Sequence, residues 1–247
     1  MKGLIRRPVR AVLERAGRNG DVDPELTTRD LVALVSTRVA ELARGLLLFQ
    51  GIIFRGRRVR VRGRTRLALG KYSAVGDYSS LDCVSRGGIT LAEGAKLGRF
   101  VTVTGTSSVA RIGEGLRLGR NSAIGDFGHV GCAGGVLIGN DVIVGPYATF
   151  HSQTHVAKDL DVPIRMQGTE ESAITIGDDV WVGARVSFLS GASIGAHSIV
   201  AAGAVVRGEF PPYSIVGGVP ARLLRTRSST ADANSRVDAD EIRVSRE

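Results

Sequence analysis

The sequence predicts an all-β fold, a parallel β-solenoid, on three observations. An aliphatic residue followed by Gly recurs along the chain, as at Leu69-Gly70, Leu97-Gly98, Ile124-Gly125, Val144-Gly145, Val182-Gly183 and Ile194-Gly195. Within runs the aliphatic positions step by six, at 118, 124 and 130, at 138 and 144, and from 176 to 206. Four residues after many of them stands a small residue, such as Ser73, Ser79, Ser122 or Ser198. A repeat this short builds a solenoid in which three hexapeptides, about 18 residues, close one coil. Stacked coils pair strand on strand at about 4.8 Å. The aliphatic side chain fills a narrow prism and the small residue fits its corner. An aromatic share of 5% agrees with a prism too thin for rings.

The elements follow in order. Residues 1–50 read as a basic, amphipathic helical extension. Residues 51–210 are the solenoid, with an inserted loop at 151–173. Residues 211–227 pack on the last coil, and 228–247, polar and without apolar periodicity, read as a disordered tail. Thr28 can cap a helix whose Leu31, Leu34, Val35, Val39, Leu42 and Leu46 share one side. Such a helix is expected to cover the open N-terminal end of the solenoid, whose strand edges would otherwise be bare.

The net charge of +9 is concentrated at one end. Residues 1–66 hold 16 basic and 6 acidic side chains, and the remainder is nearly balanced. A basic helix is expected within Met1–Arg18. Arg58, Arg60, Arg62, Arg64 and Arg66 alternate, so a strand there would be arginine along one face. That face is either solvated or turned toward an anionic membrane or carrier, where each basic residue adds roughly 1 kcal/mol. Nucleic acid is disfavoured, because no aromatic residues interleave with the arginines. Cys83 and Cys132 lie in no metal motif and point to a reducing compartment. No signal peptide is evident, and the apolar run Gly45–Phe54 is too short to span a bilayer of about 30 Å. The expected location is cytoplasmic, with peripheral contact at the inner face of the membrane.

The beat breaks most deeply between Phe150 and Ile174. An insertion of that length in a compact domain is usually functional or disordered. Two of the four histidines, His151 and His155, stand at its root. Register places His155 outside the prism, and Trp181, one residue before an inward Val182, outside as well.

The coils, the His155 insertion, the run Asp178-Asp-Val-Trp181-Val-Gly183-Ala and the ending Gly218-Val-Pro220-Ala-Arg222 resemble the hexapeptide-repeat O-acetyltransferases. This group includes the galactoside and maltose enzymes and those of bacterial capsular and exopolysaccharides. The resemblance spans roughly residues 67–225. It implies a left-handed parallel β-helix, a homotrimer with active sites between subunits, and acetyl transfer from acetyl-CoA to a hydroxyl of a sugar, glycan or glycolipid precursor, without metal. His155 matches the family's general base, a role that suits imidazole because its ordinary pKa lies near neutrality. Ala184 matches the residue whose backbone amide meets the oxyanion. Ala184, Ala202 and Gly203 match positions along the pantetheine groove, and Arg207, Arg222 and Arg225 those near the CoA phosphates. Trp181, His129 and Asp126 are candidate acceptor contacts. The family's Pro after the histidine is Val156 here, its acceptor-binding Asn and Asp match Gly125 and Ala133, and a phosphate-side Lys matches Gly208. These departures argue against a small galactoside or maltose acceptor.

Two readings of other classes stay open. The γ-class carbonic anhydrases use the same fold and collect three histidines on zinc; His129, His151 and His155 would be the ligands, though their spacing differs from that family's. The other is a non-catalytic solenoid that docks on membranes. Serine acetyltransferase, within the enzyme class, needs a larger N-terminal domain than the chain provides.

Overall fold

A computed structural model describes residue 23 and residues 25–49, 51–105 and 111–228. The expected helix within Met1–Arg18 and nearly all of the expected tail at 228–247 lie outside them.

Seven coils of short parallel strands stack into a three-sided prism. The first sheet runs from Phe54–Arg55 through Ala74–Val75, Lys96–Leu97, Ala123–Ile124, Ile143–Val144, Trp181–Val182 and Ile199–Val200. Ser214–Gly218 extends it, and Ala221–Thr226 folds back antiparallel to close it. The second sheet contains Thr102–Thr104, His129–Gly131, Thr149–His151 and Ser187–Phe188. The third contains Leu116–Leu118, Val136–Ile138, Ile174–Ile176 and Ser193–Ile194. The aliphatic residues of the beat form the core: Val75, Leu97, Ile124, Val144 and Val182 are all buried on the first sheet's inner face.

The small corner residues do more than fit. Ser122 Oγ donates to the Gly139 carbonyl at 2.6 Å and accepts the Val142 amide at 3.0 Å. Ser79 does the same with Gly98 and Val101. A buried hydroxyl with both partners on the next coil satisfies backbone groups that the turn leaves open. The prism also holds more than aliphatic chains: Phe150 and Phe188 are fully buried, with ring centroids 4.9 Å apart. The low aromatic share is therefore no sign that rings cannot enter; two rings on adjacent coils fit because they stack.

The helix covers Thr28–Phe49, and its cap is Thr27, one residue before the expected Thr28. Thr27 Oγ1 accepts the Asp30 amide at 3.2 Å, and the Asp30 carboxylate accepts the Thr27 amide at 2.9 Å. This reciprocal pair is a capping box with Asp at the third place. The hydrogen bonds from Thr27 hold the Asp30 carboxyl below its ordinary pKa. The helix packs on the first strand through Gly45, where any Cβ would strike the backbone of Ile53. Only Leu31 and Gly45 are buried; Val32, Val35, Val39 and Leu46 remain exposed. Covering one strand therefore uses a narrow part of the apolar side that the sequence suggested.

The arginine strand does not form as one face. Only Arg60–Arg62 is strand, and Arg64–Arg66 is a 3-10 turn entered through Gly63. Arg58 sits at a corner with φ 52°, and Arg62 is paired with Asp82. The six-residue beat passes through this segment, so its side chains follow corners and strands in turn and scatter.

Candidate active site

The break at Phe150–Ile174 is an ordered hairpin. Gln153–His155 pairs antiparallel with Thr169–Glu171, His155 opposite Thr169. Gln167 ties the tip, its amide donating to the Asp159 and Val162 carbonyls, each at 2.7 Å. At the base, Ser152 Oγ donates to the Gly131 carbonyl at 2.7 Å and accepts the Gly134 amide at 2.9 Å. Arg111 reaches Glu171 at 3.3 Å, and Lys158 pairs with Glu170 at 2.9 Å. His155 is thus an exposed side chain on a braced strand, at the corner between the second and third sheets.

A second group lies at the corner between the first and second sheets. The backbone amides of Arg57 and Arg99 are each capped there by a carboxylate of the next coil, Asp77 at 2.5 Å and Asp126 at 2.8 Å. Ala202 holds the corresponding place above Ala184, as shown by the closeness of its amide to Gly183. Its methyl accepts nothing, so among the described residues the Ala184 N–H meets no acceptor. The Ala184 carbonyl is used, accepting the Gly203 amide at 2.9 Å. Gly203 has φ 73°, a region that suits glycine, and a Cβ there would have open space around it. The result is a notch floored by small residues, in which the Ala184 N–H has no acceptor among the described residues.

That same corner carries a column absent from the sequence reading. Three residues after the inward aliphatic position stand Tyr78, Phe100, Phe127, Tyr147, Arg185 and finally Gly203, and Arg58 holds the same place after Arg55 on the first coil. The four rings stack at 4.9–5.0 Å, within 4° of parallel. The guanidinium groups of Arg58 and Arg185 lie 5.7 Å from the terminal ring centroids. Every non-glycine member has φ between 52° and 61°. In the sequence the four rings and Arg185 stand at that offset from the pairs Val75-Gly76, Leu97-Gly98, Ile124-Gly125, Val144-Gly145 and Val182-Gly183.

The candidate acceptor residues fall into different settings. Asp126 is engaged: besides capping Arg99, its Oδ2 accepts the Arg99 guanidinium at 2.9 and 2.6 Å. Burial works to raise its pKa, but these bonds from Arg99 outweigh it and hold the carboxyl low. His129 is half-buried on the second sheet, 5.8 Å from the ring of His151 on the next coil. Burial, and then the neighbouring His151, push the His129 pKa below its ordinary value. Trp181 is exposed on the first sheet, beside a shallow cleft with Ile143, Ile199, Asp179 and Arg227. Arg207, Arg222 and Arg225 are all exposed at the C-terminal end; Arg222 and Arg225 sit on the last strand opposite Gly217 and Ile215. Among the described residues no three His, Cys, Asp or Glu side chains gather to hold a metal, and no helix is long and apolar enough to cross a membrane.

The stacked coils and their six-residue register make this a parallel β-helix of hexapeptide repeats. Residues 173–208 match the family described as bacterial transferase hexapeptide (six repeats), and the chain resembles the hexapeptide-repeat acetyltransferases. It is 27% identical over 198 residues to a Mycobacterium tuberculosis protein named "Probable acetyltransferase Rv3034c", covering 79% of this chain and 57% of that one. It is 35% identical over 91 residues to the galactoside O-acetyltransferase of Escherichia coli, covering 36% and 43%. The chain spans about half the length of the curated relatives it matches. Among solved structures it is similar to the hexapeptide-repeat acetyltransferase VCA0836 from Vibrio cholerae, with 23% identity, 91% and 93% of the chains covered and a TM-score of 0.35.

Proposed function

We propose that the protein is an acetyl-CoA-dependent O-acetyltransferase acting on a hydroxyl of a sugar, glycan or glycolipid precursor. The observation that carries this reading is the notch at Ala184, Ala202 and Gly203, with its unengaged Ala184 N–H. A thioester carbonyl entering that notch meets a donor fixed in the fold, which serves the negative charge that develops as the hydroxyl oxygen attacks. His155 takes the hydroxyl proton during attack, and as the C–S bond breaks it returns that proton to the departing thiolate. The small side chains let the pantetheine arm lie against backbone. Arg207, Arg222 and Arg225 offer guanidinium donors to the CoA phosphates. Trp181 and His129 remain the acceptor contacts proposed, and Asp126 acts there only through the Arg99 pair it holds.

His155 and the notch stand at two different corners of one prism, with the second sheet between them. We therefore place the site between copies, in a homotrimer, where the hairpin of one subunit meets the notch of the next. The test is acetyl transfer from acetyl-CoA to a panel of cell-envelope sugars, read by product mass. Transfer by the native protein and its collapse in His155→Gln support the reading. A His155→Gln protein as active as the native one removes it.

A further inference from the structure

The junction between the helix and the first coil gathers three cations. Arg44 Nε donates to the Arg55 carbonyl at 2.8 Å. A terminal nitrogen of Arg55 donates to the Val59 carbonyl at 2.7 Å. Arg55 and Arg64 both lie over the ring of Phe49, 5.8 and 5.0 Å from its centroid. Among the described residues no carboxylate is paired with any of the three; the nearby Glu41 is taken by Arg38. Arg55 Nε is buried without a hydrogen-bond partner. Burial, then Arg44 and Arg64, depress the Arg55 pKa, so the cluster is held together against its own repulsion. Like charges gathered this way, with no carboxylate paired to them among the described residues, fit an anion that is not part of the chain.

The neighbouring surface narrows the choice. Leu46, Leu47, Leu48 and Ile52 follow and flank the cluster, and Leu47 is 83% exposed. A free phosphate gives no reason for an apolar rim. A lipid surface does, because it offers a phosphate headgroup and an acyl region a few ångströms apart.

We propose that Arg44, Arg55 and Arg64 form a docking site for the phosphate headgroups of an anionic lipid surface, with Leu46–Leu48 and Ile52 entering its apolar layer. Charge complementarity carries the choice of occupant: three cations with no paired carboxylate among the described residues meet an anionic leaflet. Of the alternating arginines that the sequence singled out, this site takes only Arg64; Arg62 is spent on Asp82 and Arg58 on the Tyr78 ring. It stands apart from the His155 hairpin and the Ala184 notch, so its failure leaves the proposed chemistry untouched.

The experiment is cosedimentation of the full chain with vesicles of phosphatidylcholine alone and of phosphatidylcholine with phosphatidylglycerol. Retention on the anionic vesicles only, weakening with salt, is the expected result. Each lost cation costs roughly fivefold in retention, so the triple change Arg44→Gln, Arg55→Gln, Arg64→Gln weakens it on the order of a hundredfold. Arg117→Gln, Arg120→Gln, Arg165→Gln removes the same charge elsewhere and retains binding; circular dichroism checks that both variants fold. Leu47→Ser with the arginines intact separates the sources: it lowers vesicle retention if lipid is the occupant and leaves it unchanged if a bare phosphate is. Equal loss in both triple variants, indifference to Leu47→Ser, or a drop in oligomeric mass on Leu47→Ser in place of lost retention overturns the proposal. The last of these assigns the surface to a second copy.

Discussion

Ala202 sits above the Ala184 amide in the place where, at Arg99, Asp126 supplies a capping carboxylate. The two corners hold the same place in the six-residue register and differ in the side chain at the capping position. One difference closes a donor and the other leaves it open, which is how a uniform solenoid acquires a site without leaving its register.

Pro146 holds the same place on the coil before Ala184, as its contact with Gly125 shows. Proline is therefore compatible with this corner, and Ala184→Pro removes the N–H while keeping the fold. We expect kcat to fall by about 10²–10³, the usual effect of losing one oxyanion donor, with the KM for acetyl-CoA little changed. Steady-state kinetics, alongside an unaltered circular dichroism spectrum, check this.

Phe127 tests the aromatic column. It stacks on Phe100 and Tyr147, and its backbone lies at φ 59°. Each aromatic pair contributes about 0.5–1.5 kcal/mol beyond burial, which offsets a left-handed conformation costing about 1–2 kcal/mol. Phe127→Leu keeps that cost and loses two stacks, so denaturant titration should show a loss of about 1–3 kcal/mol. Phe127→Gly should lose less, because glycine removes the backbone cost.

His129 makes stability depend on pH. Its folded pKa lies below the ordinary 6.5, so over the interval beneath that value the unfolded chain binds more protons. Stability is whole above the unfolded pKa and declines as pH falls toward the folded one. His129→Gln should flatten that decline, measured as denaturant midpoints across mildly acid pH.

Glu171 braces the hairpin through Arg111. Glu171→Gln should lower kcat several-fold by loosening the strand that carries His155, a positioning effect that His155→Gln already masks. A double variant no worse than His155→Gln alone is the expected outcome.

The prism was legible because a six-residue beat leaves little choice of where side chains go. The same ruler placed Trp181 and His155 outside. It missed the Phe150–Phe188 stack, since composition says nothing about which coils are adjacent. The corner column escaped because Tyr78, Phe100 and Phe127 are 22 and 27 residues apart, an irregular spacing that becomes regular only when coils of unequal length are stacked. The open Ala184 amide was carried by resemblance alone; its lack of a cap depends on the identity of a residue one coil away. The arginine cluster at Phe49 joins residues from the helix, the first strand and a 3-10 turn, and no local pattern announces it.

The most direct test mixes two inactive proteins. His155→Ala retains the notch and Ala184→Pro retains the hairpin. If each site is built from the hairpin of one copy and the notch of its neighbour, subunits exchanged from an equal mixture place both intact parts together in about one site in four, by the symmetry of a closed ring. The mixture should then recover about a quarter of the native rate of acetyl transfer from acetyl-CoA. A mixture no more active than its parents, with exchange shown by mass, would contradict a site shared between copies, and a native protein inert toward acetyl-CoA with every sugar offered would contradict the chemistry itself.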